Sequence, residues 1–117
     1  MAEARVLVVE DEFMMALDLV STVEEAGYAV VGPAGTLEQA LVLAKSFNID
    51  AALLDLNLWG RSSVPVADVL KGRGIPFAFV SGYDKDTLKR EFKDTPFITK
   101  PYLRSTVLRV LARLTGR

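Results

Sequence analysis

Two residue types are missing from this chain of 117 residues, cysteine and histidine. Without cysteine the chain can form neither a disulfide framework nor a thiolate metal site, which is compatible with a reducing compartment. Without histidine it can build neither a zinc site of the histidine type nor a Ser-His-Asp triad, and it cannot donate a phosphoryl group from histidine. Several classes of enzyme and metalloprotein are therefore excluded.

Long hydrophobic runs and an excess of charge of one sign are also missing. The sequence has no apolar N-terminal region typical of a signal peptide and no stretch long enough to span a membrane, so we expect a cytoplasmic protein. Its 14 basic and 15 acidic residues give a net charge of −1. This balance gives little support to nucleic-acid binding, and we expect neither nucleic acid nor membrane as a partner.

Length and composition indicate one globular domain. Half of the residues are hydrophobic and a quarter are charged, as in ordinary globular proteins. A chain of this length buries roughly two-thirds of its unfolded surface in one core. We find no repeat or linker, so residues 1–117 are predicted to form a single domain without an output domain.

Strand and helix patterns alternate along the chain five times. The predicted strands are short apolar runs at Arg5–Val9, Tyr28–Val31, Ala51–Leu54, Pro76–Val80 and Phe97–Thr99. The predicted helices have apolar residues at helical spacing. Three of them are Phe13–Ala26, Val64–Lys71 and Lys85–Phe92. Between the second and third strands, a capping box of Thr36 and Gln39 opens another helix, and the last helix carries Leu103 to Leu114 with Pro101 at its first position.

This alternation predicts an α/β fold with a doubly wound, five-stranded parallel sheet. Parallel strands joined by right-handed crossovers place helices on both faces of the sheet. For five such units we expect the strand order 2-1-3-4-5, with the functional site at the carboxyl ends of the first and third strands.

Carboxylates follow or end the strands that meet at this point. Glu10, Asp11 and Glu12 follow the first strand, and Asp55 follows the apolar run of the third. Two such charges about 4 Å apart repel by roughly 4 kcal/mol at an effective dielectric near 20. A divalent cation would offset this repulsion, so the pattern predicts a metal site. Glu12 is better explained as a charge at a helix N-terminus than as a ligand.

Three other polar residues lie at strand ends that converge on the same crevice. Ser81 supplies a hydroxyl group, Lys100 supplies an ammonium group, and Asn57 follows Asp55 closely. The carboxylate oxygens of this crevice are hard ligands that suit Mg²⁺, which retains several waters.

The segments VLVVEDE, ALLDLNL, FVSGY and ITKPY resemble, in order, the motifs of response-regulator receiver domains. The resemblance covers the whole chain and implies a flavodoxin-like receiver fold acting in a two-component or phosphorelay system. It implies that Asp55 accepts a phosphoryl group from a phosphohistidine kinase. It also implies a Mg²⁺ site made by Asp55, by Asp11 directly, by Glu10 partly through water, and by the backbone carbonyl of Asn57.

The same resemblance implies roles in switching. Ser81 would donate a hydrogen bond to the phosphoryl oxygens, Lys100 would pair with them, and Phe97 would turn inward on activation. The peptide bond between Lys100 and Pro101 would be cis. A downstream protein would bind through the fourth helix, the fifth strand and the fifth helix.

A narrower resemblance involves the segment SSVPVADVLKGRGIPFAFVSGYD. It is similar to the single-domain receivers called FAT GUY, and their signature corresponds here to Phe79-Val80-Ser81-Gly82-Tyr83, in which serine retains the hydroxyl group of the usual threonine. This similarity implies a sensor histidine kinase of the HWE type as the partner.

Two alternative functions remain open at this point. A haloacid-dehalogenase-like phosphatase also places a nucleophilic aspartate after a strand, but Asn57 stands where its general acid would be, and the chain has no room for a cap domain. A receiver-like module that signals without phosphorylation would need neither the acidic pair of Glu10 and Asp11 nor Asp55 together with Lys100. We expect the protein to catalyse only its own phosphorylation and dephosphorylation.

Two aromatic residues have no assigned role. Trp59, four positions after Asp55, is interpreted either as a helix-capping plug or as a partner contact. Tyr83, two positions after Ser81, either restricts the water that hydrolyses the phosphoaspartate or is a packing residue.

Overall fold

The computed structural model describes residues 3–82 and 92–116. Its strands are β1 Arg5–Val9, β2 Ala29–Ala34, β3 Ala51–Asp55, β4 Asn57–Leu58, β5 Arg61–Ser62, β6 Phe77–Ser81 and β7 Phe97–Thr99. Its helices are α1 Phe13–Glu25, α2 Leu37–Ser46, α3 Val64–Gly72 and α4 Arg104–Thr115. None of the helices described here has the length and apolarity needed to cross a membrane.

The main sheet confirms the predicted architecture. Five parallel strands lie in the order β2-β1-β3-β6-β7, in which β6 and β7 are the predicted fourth and fifth strands. Residues of β3 and β6 are buried on both faces of the sheet, which explains their continuous apolar sequences. The β4 and β5 segments form a separate antiparallel hairpin.

Alternate residues of the central strands enter two hydrophobic clusters, one on each face of the sheet. One cluster combines Leu7 and Leu54 with apolar residues of α2 and α3. The other combines Val8 and Leu53 with apolar residues of α1 and α4. Because both faces are covered, the polar residues at the strand ends are held by a rigid scaffold.

Side chains of the loop residues set the starts of two helices. Glu12 is the N-cap of α1, and its carboxylate accepts hydrogen bonds from the backbone of Met14 and Met15. This confirms Glu12 as a charge at a helix N-terminus. Thr36 caps α2 through the Gln39 N–H at 3.1 Å, as the capping box predicts. The side chain of Gln39, however, accepts a hydrogen bond from Gly35.

Two expectations about the elements need correction. Strand β2 extends to Ala34 because a bulge opposite β1 accommodates the bond between Gly32 and Pro33. Gly32 has φ +100°, and a Cβ there would lie 2.9 Å from the Val8 carbonyl oxygen, so a side chain does not fit. Pro101 is not at the first position of the last helix, which begins at Arg104, although its peptide bond with Lys100 is cis as the resemblance implied.

The predicted fourth helix, Lys85–Phe92, lies outside the described residues except for its last position, and Tyr83 lies outside them too. Phe92 is buried against Phe77 and Phe79, with edge-to-face ring centroids between 5.6 and 6.1 Å apart. This aromatic cluster joins the chain beyond β6 to one face of the sheet.

Candidate functional site

The registers of neighbouring strands bring the predicted site residues together. Val9 pairs with Leu54, so Glu10 and Asp55 follow side by side. Asp55 pairs with Val80, which places Ser81 one residue further along the next strand. Ser81 in turn pairs with Thr99, and Lys100 follows it. Asp55 and Ser81 therefore lie in the paired part of the rigid sheet, and Glu10 and Lys100 lie one residue beyond it.

The carboxylates of Glu10, Asp11 and Asp55 form one acidic cluster. Each contributes an oxygen atom, and these oxygens lie within 4.8 Å of one another. Glu10 and Asp55 are buried, whereas Asp11 is half-buried. Three carboxylates at this separation are a set of hard oxygen donors around one point, as the sequence pattern predicts.

Lys100 brings a positive charge to this cluster from the opposite side. Its Nζ lies 2.7 Å from Glu10 Oε1 and 3.3 Å from Asp55 Oδ2. The lysine side chain is 18% exposed, so both ion pairs are largely shielded from water. Burial disfavours the charged ammonium, but the hydrogen bond to Glu10 and the charges of Asp55 and Glu10 together raise the pKa of Lys100 above its usual value.

Glu10 is the carboxylate that the surroundings destabilise most clearly. Burial, together with the neighbouring Asp55, raises the pKa of Glu10 to about 7, although Lys100 and the Glu12 backbone N–H act in the opposite direction. The Glu12 N–H donates to Glu10 Oε2 at 3.1 Å. A carboxylate with this pKa takes up a proton near neutral pH, which offsets the repulsion from its neighbours.

Asp11 is held differently from Glu10. Burial works to raise the pKa of Asp11, but hydrogen bonds, including one from the Trp59 backbone N–H, outweigh it and lower the pKa below the usual value. The Trp59 nitrogen lies 2.9 Å from Asp11 Oδ2. Asp11 therefore keeps its negative charge at neutral pH, as a cation ligand must.

Asn57 and Ser81 border the cluster. The Asn57 N–H donates to Asp55 Oδ1 at 3.2 Å, which places this stretch of backbone beside the carboxylate. The Asn57 side-chain oxygen accepts a hydrogen bond of 2.7 Å from the Gly60 N–H, so it closes a turn. Ser81 is fully buried at the end of β6, and its carbonyl oxygen accepts a hydrogen bond from the Lys100 backbone.

Two residues considered from the sequence lie outside the acidic cluster. Phe97, in β7, is half-buried and packs on the cluster of α2 and α3, where it is paired with Phe79 of β6. The carboxylate of Glu12 is occupied with the backbone of α1.

The β4–β5 hairpin, which we did not predict, adds Trp59 to the surroundings of Asp11. The Trp59 indole N–H donates to the Gly35 carbonyl oxygen at 3.1 Å, one residue before the α2 cap, so the side chain does not cap the helix. Two-residue strands of mixed polarity leave little periodic signal, and only the Gly60 that follows Trp59 hints at the turn.

Comparisons with known proteins agree on one family. The family model described as the response regulator receiver domain matches residues 6–112. The regulator PhyR from Methylorubrum extorquens is 32% identical over 112 residues, which cover 92% of this chain and 42% of PhyR. The chain spans about half the length of the first curated regulators it matches.

Solved structures give the same result. SdrG from Sphingomonas melonis Fr1 is 38% identical with a TM-score of 0.85, and the match covers 97% of this chain and 98% of that one. The BeF3-activated conformation of SdrG from Pseudomonas melonis Fr1 is 37% identical with a TM-score of 0.81, covering 97% and 98% of the two chains.

The family is in general a signalling domain and not a catalytic one, and the match supports a phosphoacceptor role in two-component signalling. Asp55 lies at the carboxyl end of β3, within the acidic cluster and 3.3 Å from the Lys100 ammonium. The sequence match, the strand order and this arrangement lead to the same conclusion: the chain belongs to the response regulator receiver domain family.

Proposed function

We propose that Asp55 is the phosphoacceptor of this receiver domain and takes its phosphoryl group from the phosphohistidine of a sensor kinase. The observation that carries the proposal is the position of the Asp55 carboxylate, which lies against two other carboxylates and 3.3 Å from the Lys100 ammonium. An Asp55 oxygen attacks phosphorus and forms an acyl phosphate. The P–N bond breaks, and its electron pair stays on the imidazole nitrogen of the kinase.

The donor set fits Mg²⁺. Glu10, Asp11 and Asp55 offer only oxygen atoms, which a small hard cation prefers, and their mutual repulsion leaves a place for positive charge. We propose that Asp11 and Asp55 bind the ion directly, that Glu10 binds it partly through water, and that the Asn57 carbonyl completes the protein ligands. When bound, the ion neutralises charge on the phosphoryl oxygens.

The groups at the ends of β6 and β7 act on the phosphoryl oxygens once they are in place. Lys100 already contacts Asp55 and supplies a point charge, while the Ser81 hydroxyl is a hydrogen-bond donor one residue beyond the partner of Asp55 in the sheet. We propose that these two groups reorient toward the phosphoryl group and that Phe97 turns inward as they do. The protein thus catalyses its own phosphorylation and dephosphorylation, and no other reaction.

The partners follow from this role. A histidine kinase supplies the phosphoryl group, and a downstream protein binds the surface that includes β7 and α4. The HWE type of the kinase and a cytoplasmic location stay predictions.

The test is phosphorylation of the purified protein with acetyl phosphate, with and without Mg²⁺. We expect a mass increase of one phosphoryl group that requires the cation and is reversed by hydroxylamine, as an acyl phosphate is. Beryllofluoride with Mg²⁺ should form a stable complex on the same residue. A protein that accepts neither reagent would support the phosphorylation-independent module, and steady release of phosphate from unrelated phosphomonoesters would support the phosphatase.

A further inference from the structure

Trp59 has a backbone conformation that its side chain disfavours. Its φ is 53°, and Gly60 follows with φ 78°, so both residues of the turn between β4 and β5 are left-handed. Such turns favour asparagine, aspartate or glycine at the first of these positions. A bulky residue with positive φ is a genuine outlier, so the conformation itself does not explain why tryptophan stands here.

Hydrophobic burial does not explain it either, because the Trp59 side chain is 73% exposed. Its indole N–H instead donates to the carbonyl oxygen of Gly35, in the loop between β2 and α2. The Gly35 N–H is itself bound by the Gln39 side chain of α2. A second contact of the hairpin, from Arg61 to Glu38 at 2.5 Å, is an exposed ion pair on α2. The hairpin is thus fastened to the start of α2.

The same tryptophan reaches the acidic cluster through its backbone. The Trp59 N–H donates to Asp11 Oδ2 at 2.9 Å. An ionised carboxylate has about four acceptor positions on its two oxygens, so this hydrogen bond leaves Asp11 free to bind a cation as well. Hydrogen bonds to a ligating carboxylate orient it toward the ion, and their loss typically lowers metal affinity about 10- to 100-fold.

We propose that Trp59 is a positioning residue of the cation site, whose indole fastens the hairpin to Gly35 and thereby holds its backbone N–H against Asp11. This inference rests on the proposed function, because it assumes that Asp11 binds the divalent cation. The exposed indole would thus stabilise the cation site without contacting the ion itself.

The test measures how the rate of phosphorylation by acetyl phosphate depends on Mg²⁺ concentration, in the parent and in two variants. Trp59→Phe keeps the ring and the left-handed backbone but lacks the indole N–H. Trp59→Gly relieves the backbone and removes the whole side chain. Both variants keep the backbone N–H that contacts Asp11. Phe47→Ala, another exposed aromatic residue at the far end of α2, is the matched control.

We expect both Trp59 variants to raise the half-saturating Mg²⁺ concentration by about tenfold, while the rate at saturating Mg²⁺ stays near that of the parent. The control should change neither value. A variant that merely destabilises the fold would lower the unfolding midpoint and the maximal rate, but it would not shift the half-saturating concentration.

Three results would overturn the proposal. One is an unchanged half-saturating concentration in Trp59→Phe. Another is a parent-like value in Trp59→Gly, which would make the residue only a turn position. The third is a defect confined to transfer from a histidine kinase, which would make Trp59 a partner contact. Failure of the proposed function looks different, because the parent itself would then show no labelling that depends on Mg²⁺.

Discussion

The carboxyl-terminal edge of the sheet has two halves that are built in different ways. In the acidic half, after β1, β2 and β3, the loops are joined by hydrogen bonds from backbone groups, such as Glu10 N–H to Ala34 O at 2.9 Å and Trp59 N–H to Asp11. In the cationic half, after β6 and β7, the ammonium of Lys100 reaches across to Glu10 and Asp55.

This difference separates two tasks. Backbone hydrogen bonds fix where the carboxylates lie, because the backbone of a rigid scaffold cannot shift without breaking several of them. A lysine is a point charge on a flexible stem, so it can change partners when the charge of the site changes. The acidic half therefore sets the geometry of the site, and the cationic half adjusts to its charge. The predictions below are tests of that division.

The largest effect is expected at the residue on which both halves converge. Asp55→Asn keeps the shape of the side chain and removes the nucleophile, so labelling by acetyl phosphate should fall to background. The measurement is intact mass after acid quenching, followed by hydroxylamine treatment. Asp68→Asn, at an exposed position on α3, is the control and should be labelled like the parent. Label that persists in Asp55→Asn would place the acceptor elsewhere.

The next effect concerns the geometry that the acidic half provides. Asp11→Ala removes a direct ligand, so it should abolish both Mg²⁺ binding and labelling while the urea midpoint shows an intact fold. Glu12→Gln, at the adjacent carboxylate that caps α1, should bind Mg²⁺ like the parent. If Asp11→Ala still titrates with Mg²⁺ as the parent does, Asp11 is not a ligand.

The third prediction breaks the link from the cationic half. Lys100→Met leaves Glu10 and Asp55 without their positive partner, which is costly because both carboxylates are buried. The free energy of unfolding near neutral pH should drop by about 3 kcal/mol, as for other buried pairs that lose one member. Lys100→Arg retains a positive charge and should therefore lose less stability. Urea denaturation that gives the same stability for Lys100→Met and the parent would show that the acidic half balances its own charge.

The smallest effect is the pH dependence of stability that Glu10 confers. The pKa of Glu10 is about 7 in the folded protein and near 4.5 in the unfolded chain. Between pH 4.5 and pH 7 the folded state therefore holds more protons than the unfolded state. Stability must therefore fall as the pH rises through this window. Chemical denaturation at several pH values should show the fall in the parent and not in Glu10→Gln.

Two observations sharpen this test. The lowered pKa of Asp11 acts in the opposite sense, but only at more acidic pH, where that carboxylate takes up its proton. Added Mg²⁺ should reduce the fall, because the cation replaces the proton as the neutralising charge. A parent protein whose stability rises with pH across the window would contradict the raised pKa of Glu10.

The sequence predicted the parts of the site that depend on strand periodicity. Apolar runs identified β1 and β3, and parallel order then placed Glu10 beside Asp55, because the ends of parallel strands share one edge. Parts that depend on a single backbone angle were not predictable. The bulge at Gly32 interrupts the apparent end of β2, and the hairpin of Trp59 has neither a long strand nor a usual turn residue before its glycine. These features arise from contacts between loops distant in sequence.

The position of Trp59 also has a spectroscopic consequence. It is the single tryptophan of the chain, so light that excites indole selectively reports on one place in the molecule. That place is one hydrogen bond from Asp11 and one from Gly35, on the surface where water reaches the ring. The tryptophan fluorescence of the unlabelled protein should therefore report changes in the acidic half when a cation or a phosphoryl donor is added.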